Sequence, residues 1–242
     1  MIEPISIIEQ KERTRNGTLT SARLEELAQR LTRRGFILLP SDTGYSLAAL
    51  VSDDNSSKHI NTILNRDNEP VSLAFPSYLS VREGKWVELN PLATVLIEHF
   101  TPGPITIVCK VSPTPPAKIL DALGSPRQTI GVRIPDSVVE RDVAGATRWP
   151  ITTVGIRDPD KPDEIVKSFS RALEIVASGA ERLGRIGWSA IEGGAFYDSH
   201  STVVDVSNGS GELVLRREGY LPFERIKAVQ RLPSIWSFED IE

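Results

Sequence analysis

The chain has 242 residues, of which 40% are hydrophobic and 25% charged, with a formal net charge of −4 at pH 7. That length builds a full hydrophobic core, and that balance excludes a disordered, collagenous or coiled-coil chain and argues against a protein that grips nucleic acid over its whole surface. Cys109 is the single cysteine, which excludes an intramolecular disulfide and a thiolate cluster, and the scattered histidines His59, His99 and His200 argue against a histidine-rich metal site.

Residues 1–18 are polar and charged and read as an N-terminal extension, with charges too early for a signal-peptide core. No apolar run reaches membrane-spanning length, so no membrane contact and a cytoplasmic protein are expected. Leu24, Leu27, Ala28 and Leu31 recur at helical spacing behind Thr20 or Ser21 as N-cap, and Gly35 ends that helix. Phe36–Leu39 is an unbroken apolar run closed by Pro40, which predicts a strand buried on both faces. A short helix over 56–64, a strand over 71–75 and a helix over 90–100 with Pro91 in its first turn follow. Further strands are predicted over 105–111, 129–134 and 151–156. The longest helix is predicted over 163–180, from Ile165, Phe169, Leu173, Val176 and Ala180. Strands over 201–206 and 212–216 are predicted to pair across the turn 207–211, and a helix near 222–231 leads into a polar tail. The prolines of 113–116 read as the start of a loop or helix over one sheet edge. Strands and helices alternate, so the expected class is α/β with a mixed sheet: one domain over 19–222, then a C-terminal helix and tail over 223–242.

Some segments suit chemistry. Leu39–Leu47 directly follows a buried strand, where open α/β sheets bind ligands; Ser41 and Thr43 offer hydroxyls, although Asp42 and Gly44 equally make a plain turn. Pro102, Gly103 and Pro104 fix a rigid turn ahead of Thr106, which faces a cleft or is an ordinary strand threonine. Arg133 interrupts an apolar strand, and a buried guanidinium requires a carboxylate, an anionic ligand or solvent. Its planar fork suits phosphate or carboxylate. Ser201 and Thr202 open one strand while Arg216 and Arg217 close the next, and the sequence leaves open whether these ends lie apart or fold together over a cleft. No P-loop, no G-x-G-x-x-G and no G-x-S-x-G occurs. Cys109 reads as a core thiol, the histidines as structural and Gly193-Gly194 as a turn.

Taken in order, these segments resemble the YrdC/Sua5 family over roughly residues 20–222, carried by Pro40–Leu47, Pro102–Thr106, Gly131–Pro135, Gly193-Gly194, Ser201–Asp205 and Leu215–Gly219. The resemblance implies a YrdC-like twisted open mixed sheet, flanked by helices, around a concave, positively charged cavity. It implies synthesis of threonylcarbamoyl-AMP from threonine, bicarbonate and ATP, with pyrophosphate release, for the t6A modification of tRNA. It places Ser41 and Thr43 on the threonine side, Arg133 inside the sheet near the site, and Ser201 and Arg217 at the nucleotide. Arg66 and Arg133 are the catalytic, charge-neutralising candidates; Thr106 and Thr153 are further binding candidates. No side chain is expected to ligate a metal, and the Mg2+ that accompanies ATP would be held mainly by phosphates and water.

The chain departs from the family pattern in two segments. The family's K-x-R stretch is Ile63–Val71 here and holds no lysine; Arg66 stands in for the arginine, and Glu69 reverses the charge of the later lysine. The family's T-S-A-N stretch is Pro150–Arg157 here, where Thr152 or Thr153 supplies a hydroxyl and Arg157 a displaced cation. These departures hold two other readings open: a divergent YciO-like paralogue, and a non-catalytic nucleotide- or RNA-binding protein that contacts tRNA or double-stranded RNA.

Overall fold

The computed structural model describes residue 4 and residues 6–51, 56–67, 69–114, 128–147, 149–184, 186–208 and 211–229. Apolar runs and caps account for most of its elements. The helices are α1 (Ser21–Thr32), α2 (Ser56–Ile63), α3 (Tyr78–Gly84), α4 (Pro91–Phe100), α5 (Val138–Ala146), α6 (Phe169–Ala180) and α7 (Phe223–Val229). Thr20 caps α1 by accepting from Arg23 N at 3.4 Å. Asn90 caps α4 by accepting from Ala93 N at 2.7 Å, with Pro91 at the first helical position, where its missing N–H costs nothing.

The strands are β1 (Ser6–Ile8), β2 (Phe36–Pro40), β3 (Tyr45–Leu50), β4 (Ser72–Ala74), β5 (Ile105–Lys110), β6 (Thr129–Arg133), β7 (Ile151–Gly155), β8 (Arg157–Asp158), β9 (Lys161–Ile165), β10 (Trp188–Ile191), β11 (Thr202–Asp205) and β12 (Val214–Arg217). Ten of them form one mixed sheet in the order β1-β10-β2-β3-β7-β4-β6-β5-β11-β12, and β8 and β9 pair separately. This is the α/β mixed sheet expected from the sequence. Ser6–Ile8, inside the segment read as an extension, pairs in parallel with β10 at one end of the sheet.

Strand β2 is buried along its whole length, as its unbroken apolar run predicts. Phe36 and Leu38 face one core, where α2, α4, α6 and α7 pack; Ile37 and Leu39 face the other, under α1 and α5. The α1/α5 face changes character along the sheet. Leu50, Ile151 and Ala74, paired in register, are apolar and lie in that core. Arg133 is the next residue in their row. The neighbouring row runs Ala48, Thr153, Ser72, Gly131, Val108 and Asp205, so past β3 small or polar side chains replace apolar ones except at Val108. A sheet face paved in this way is not built to carry a hydrophobic helix.

One predicted element needs correction. The helix expected over 163–180 begins at Phe169, and Lys161–Ile165 is strand β9, antiparallel to β8. Ile165 lies one helical turn before Phe169 and imitates the helical period. The backbone there is held extended instead: Tyr45 N donates to Val166 O at 2.8 Å, and Val166 N donates to Ile156 O at 2.8 Å. Ser168 then caps α6. Strand β3, and helices α3 and α5, carry no sequence signal of comparable strength; the alanines and serine of Tyr45–Leu50 have little intrinsic strand preference. The expectation for Pro115 and Pro116, and that for the tail beyond Val229, fall outside the described residues.

Candidate active site

The polar stretch of the sheet is the floor of a cavity of about 1190 Å³. All eight predicted site residues line it: Ser41, Thr43, Arg66, Thr106, Arg133, Thr153, Ser201 and Arg217. Five come from the ends or inner faces of sheet strands, and the others from the β2–β3 turn and the segment after α2. The alternatives at 152 and 153 are settled by strand alternation: Thr153 faces the cavity, while Thr152 donates to Ala49 O at 3.1 Å and does not line it.

The β2–β3 turn is fixed from several sides. Ser41 N donates to Gly44 O at 2.9 Å, Tyr197 N to Asp42 O at 2.8 Å, and the Ser137 hydroxyl to Pro40 O at 2.7 Å. The Asp42 carboxylate accepts from Arg133 Nη2 on β6 and, through its second oxygen, from Asp136 N at 3.0 Å. Arg133 is therefore a buried ion-pair partner that ties the β2–β3 turn to the centre of the sheet. Gly44 lets the β8–β9 hairpin close on this turn: a Cβ there would meet Ile165 Cγ2 and the Val166 carbonyl. Gly44→Ala is expected to cost about 1–3 kcal/mol and to displace the hairpin that carries Arg157, read by urea unfolding and by nucleotide titration.

The two ends of the β11–β12 hairpin meet, because antiparallel pairing brings the start of one strand to the end of the next. Arg217 donates to Ser201 O at 3.0 Å and to the Ser201 hydroxyl at 3.2 Å, and that hydroxyl lies 3.1 Å from Thr106 Oγ1. Ser201, Thr106 and Arg217 thus form one polar cluster.

Charge in the cavity is unevenly neutralised. Arg66 is bound to Glu69, Arg216 to Asp205, and Arg133 to Asp42. Arg157 and Arg217 have no carboxylate within ion-pair distance among the described residues, and both line the cavity. Burial depresses the Arg217 pKa from its usual range, and the neighbouring Arg157 and Arg133 charges depress it further. Glu69, bound to Arg66, opposes this from a distance, and two guanidiniums without an ion-pair partner lining one cavity make a place for an anion.

Three of the four cavity carboxylates, Glu69, Asp158 and Asp205, are each paired with an arginine, and Asp67 has no ion-pair partner among the described residues. Among the described residues no three His, Cys, Asp or Glu side chains converge as a metal site. Cys109 is buried, with its thiol pushed up to about 12 by desolvation, as befits a core residue.

The family model for Sua5, YciO and YrdC proteins, described as "Telomere recombination", matches residues 29–219. The chain belongs to the Sua5/YciO/YrdC family. It is 25% identical over 209 residues to a protein described as a putative threonylcarbamoyl-AMP synthase of Methanocaldococcus jannaschii, covering 84% of this chain and 88% of that one. It is 28% identical over 218 residues to the threonylcarbamoyl-AMP synthase of Pyrococcus abyssi, covering 86% of this chain but only 58% of that one. Among solved structures, P. abyssi Sua5 complexed with L-threonine superposes with a TM-score of 0.70 at 25% identity, over 92% of this chain and 60% of that one. Escherichia coli YciO superposes with a TM-score of 0.71 at 22% identity, over 93% of this chain and all of that one, which speaks for the fold. No helix among the described residues is long and apolar enough to cross a membrane.

Within this Sua5/YciO/YrdC fold, two features of the site had little or no signal in the sequence. The Asp42–Arg133 pair joins residues that a turn reading and a strand reading treat separately. Glu140, on α5, is fully buried. An acidic residue in the first turn of a helix ordinarily reads as a surface complement to the helix dipole.

Proposed function

We propose that this protein is a threonylcarbamoyl-AMP synthase-like enzyme that binds ATP, threonine and bicarbonate in the cavity. Bicarbonate and the threonine amine condense to a carbamate and water; the carbamate oxygen attacks the α-phosphorus of ATP, and pyrophosphate leaves. The observation that carries this reading is the pair of arginines without carboxylate partners, Arg157 and Arg217, on the wall of a cavity whose other arginines are paired or bonded. Charged oxygens of a triphosphate suit that pair, with Ser201 and Thr106 as neighbouring hydroxyls. Mg2+ would enter with the nucleotide, held mainly by phosphates and water, since three of the four cavity carboxylates are engaged. Ser41, Thr43 and Thr153 form the side suited to the amino acid, and the Asp42–Arg133 pair holds their turn in place.

Glu69 favours a second reading. It ties up Arg66, the cation the sequence offers for charge neutralisation, at 3.1 Å from Arg66 Nε. A family member acting on a different acyl adenylate, or one that binds nucleotide or RNA without turnover, fits a site with one cation neutralised. The product in the first reading serves tRNA modification in the cytoplasm.

The test is pyrophosphate release dependent on both threonine and bicarbonate, with detection of the adenylate. Arg217→Ala is expected to weaken ATP binding about tenfold, the worth of a charge-assisted hydrogen bond, with little change in folding stability. Unchanged ATP affinity in that variant counts against the phosphate role. RNA binding with a steep salt dependence, in protein that does not turn over, moves the weight to the binding reading.

A further inference from the structure

The β8–β9 hairpin carries Arg157 to the cavity but has little core of its own. It forms a two-stranded sheet apart from the main one. Residues 161–164 are exposed and Ile165 is partly buried. A second hollow of about 390 Å³ adjoins the main cavity, and Asp158 and Ile165 of the hairpin line both. With a hollow on each side, little apolar packing fixes where the hairpin stands. Main-chain bonds at Ile156 and Val166 hold its root, and the turn through residues 158–160 lies beyond them.

Arg171 grips that turn. Its Nε donates to Asp158 Oδ2 at 3.2 Å, and its Nη2 to Asp158 Oδ1 at 2.7 Å and to Asp160 Oδ2 at 2.6 Å. Asp160 N donates to Asp158 Oδ1 at 3.1 Å, so one guanidinium spans a turn that is also bonded to itself. A two-pronged contact of this kind fixes direction as well as distance. Arg171 stands in the first turn of α6, where its N–H bonds the cap Ser168 at 3.4 Å. A cation there opposes the helix dipole, so helix preference does not account for an arginine at this position, whereas the hairpin carboxylates do. Its remaining contact, Nη1 to Glu174 at 3.0 Å, lies within α6. On the other strand of the hairpin, His200 Nε2 lies 2.8 Å from Asp163 O, and His200 directly precedes Ser201, which accepts from Arg217. Arg157 itself is exposed, with no carboxylate partner among the described residues to hold its guanidinium.

We propose that Arg171 is a positioning residue for the nucleotide site: by gripping Asp158 and Asp160 it fixes the β8–β9 hairpin and so holds Arg157, the residue before Asp158, at the cavity wall where phosphate oxygens would bind. Arg171 does not line the main cavity and touches no ligand there. It acts through the backbone that Arg157 and Asp158 share. Lysine at this position would keep the charge but lose the planar fork, and a single ammonium cannot span the turn in the same way. This inference rests on the reading of Arg157 and Arg217 as the phosphate-binding pair.

The experiment is calorimetric titration of ATP with Mg2+, at one fixed ionic strength, into the wild type, Arg171→Lys, Arg157→Ala and Arg217→Ala, the two double variants that add Arg171→Lys to each alanine variant, and Glu174→Gln. Arg157→Ala is expected to weaken ATP binding about tenfold, and Arg171→Lys about fivefold, since a displaced Arg157 keeps part of its attraction. Adding Arg171→Lys to Arg217→Ala is expected to weaken binding by the same factor again, whereas adding it to Arg157→Ala changes nothing further. Glu174→Gln, which removes only the contact within α6, is expected not to weaken binding. Unchanged affinity in Arg171→Lys, or a loss that persists in full without Arg157, overturns this inference alone. A loss in Glu174→Gln as large as that in Arg171→Lys shows a disturbed helix and overturns it as well. ATP affinity unchanged in both Arg157→Ala and Arg217→Ala overturns the phosphate reading and this inference with it.

Discussion

Replacing Arg133 by alanine is expected to lower folding stability by about 3–5 kcal/mol, the cost of breaking a buried ion pair by removing one partner. The physical reason is the company Arg133 keeps. It is buried, ion-paired to Asp42, and its charge also acts on Glu140. Without the guanidinium, two buried carboxyls are left with no cation between them. Each must be neutralised by a proton, so the loss should be larger at about pH 8 than at about pH 5. Asp42→Asn should cost less than Arg133→Ala, because Glu140 remains to balance the guanidinium. Urea unfolding of both variants at the two pH values checks this. A loss from Arg133→Ala of the size seen for an exposed ion pair, about 1 kcal/mol or less, would show that the pair does not hold the turn.

Replacing Glu140 by glutamine is expected to change the pH dependence of stability by ~2 kcal/mol. The Glu140 carboxyl titrates near 4.5 when unfolded and at about 6 in the folded protein, raised chiefly by burial. The native state therefore holds that proton more tightly than the unfolded chain does. The stability this contributes is fully present below about pH 4.5 and is lost as the pH rises through about 6. Glutamine removes the loss. The stability difference between the variant and the wild type should thus move in favour of the variant as the pH rises across that window, and level off above it. Chemical unfolding across the window measures the slope; parallel curves for the two proteins would falsify the assignment of a raised pKa to Glu140.

These two residues divide what was legible from what was not. The sequence alone determined the class and most elements, because their signals are local. Phe36–Leu39 reads as a buried strand from four consecutive residues, α1 from a cap and its apolar spacing, α4 from Pro91 and its apolar spacing, and the β11–β12 hairpin from two strand runs and the turn between them. Hydroxyls and guanidiniums near strand ends singled out Ser41, Thr43, Thr106, Arg133, Ser201 and Arg217, the family resemblance added Arg66 and Thr153, and all eight share one cavity. The tertiary structure alone decided how their charges are spent. Arg133 finds its carboxylate 91 residues away, on a turn whose Asp42 reads locally as an ordinary turn residue. Lys161–Ile165 is extended because Tyr45 and Ile156 bond to Val166, against a helical spacing that the sequence displays. Glu140 has the sequence context of a solvated helix start, and only the packing of α5 against the sheet removes it from water. Spacing and caps are written within a few residues, whereas desolvation and ion pairing depend on which distant segments the fold brings into contact, and there the sequence gives the parts without their partners.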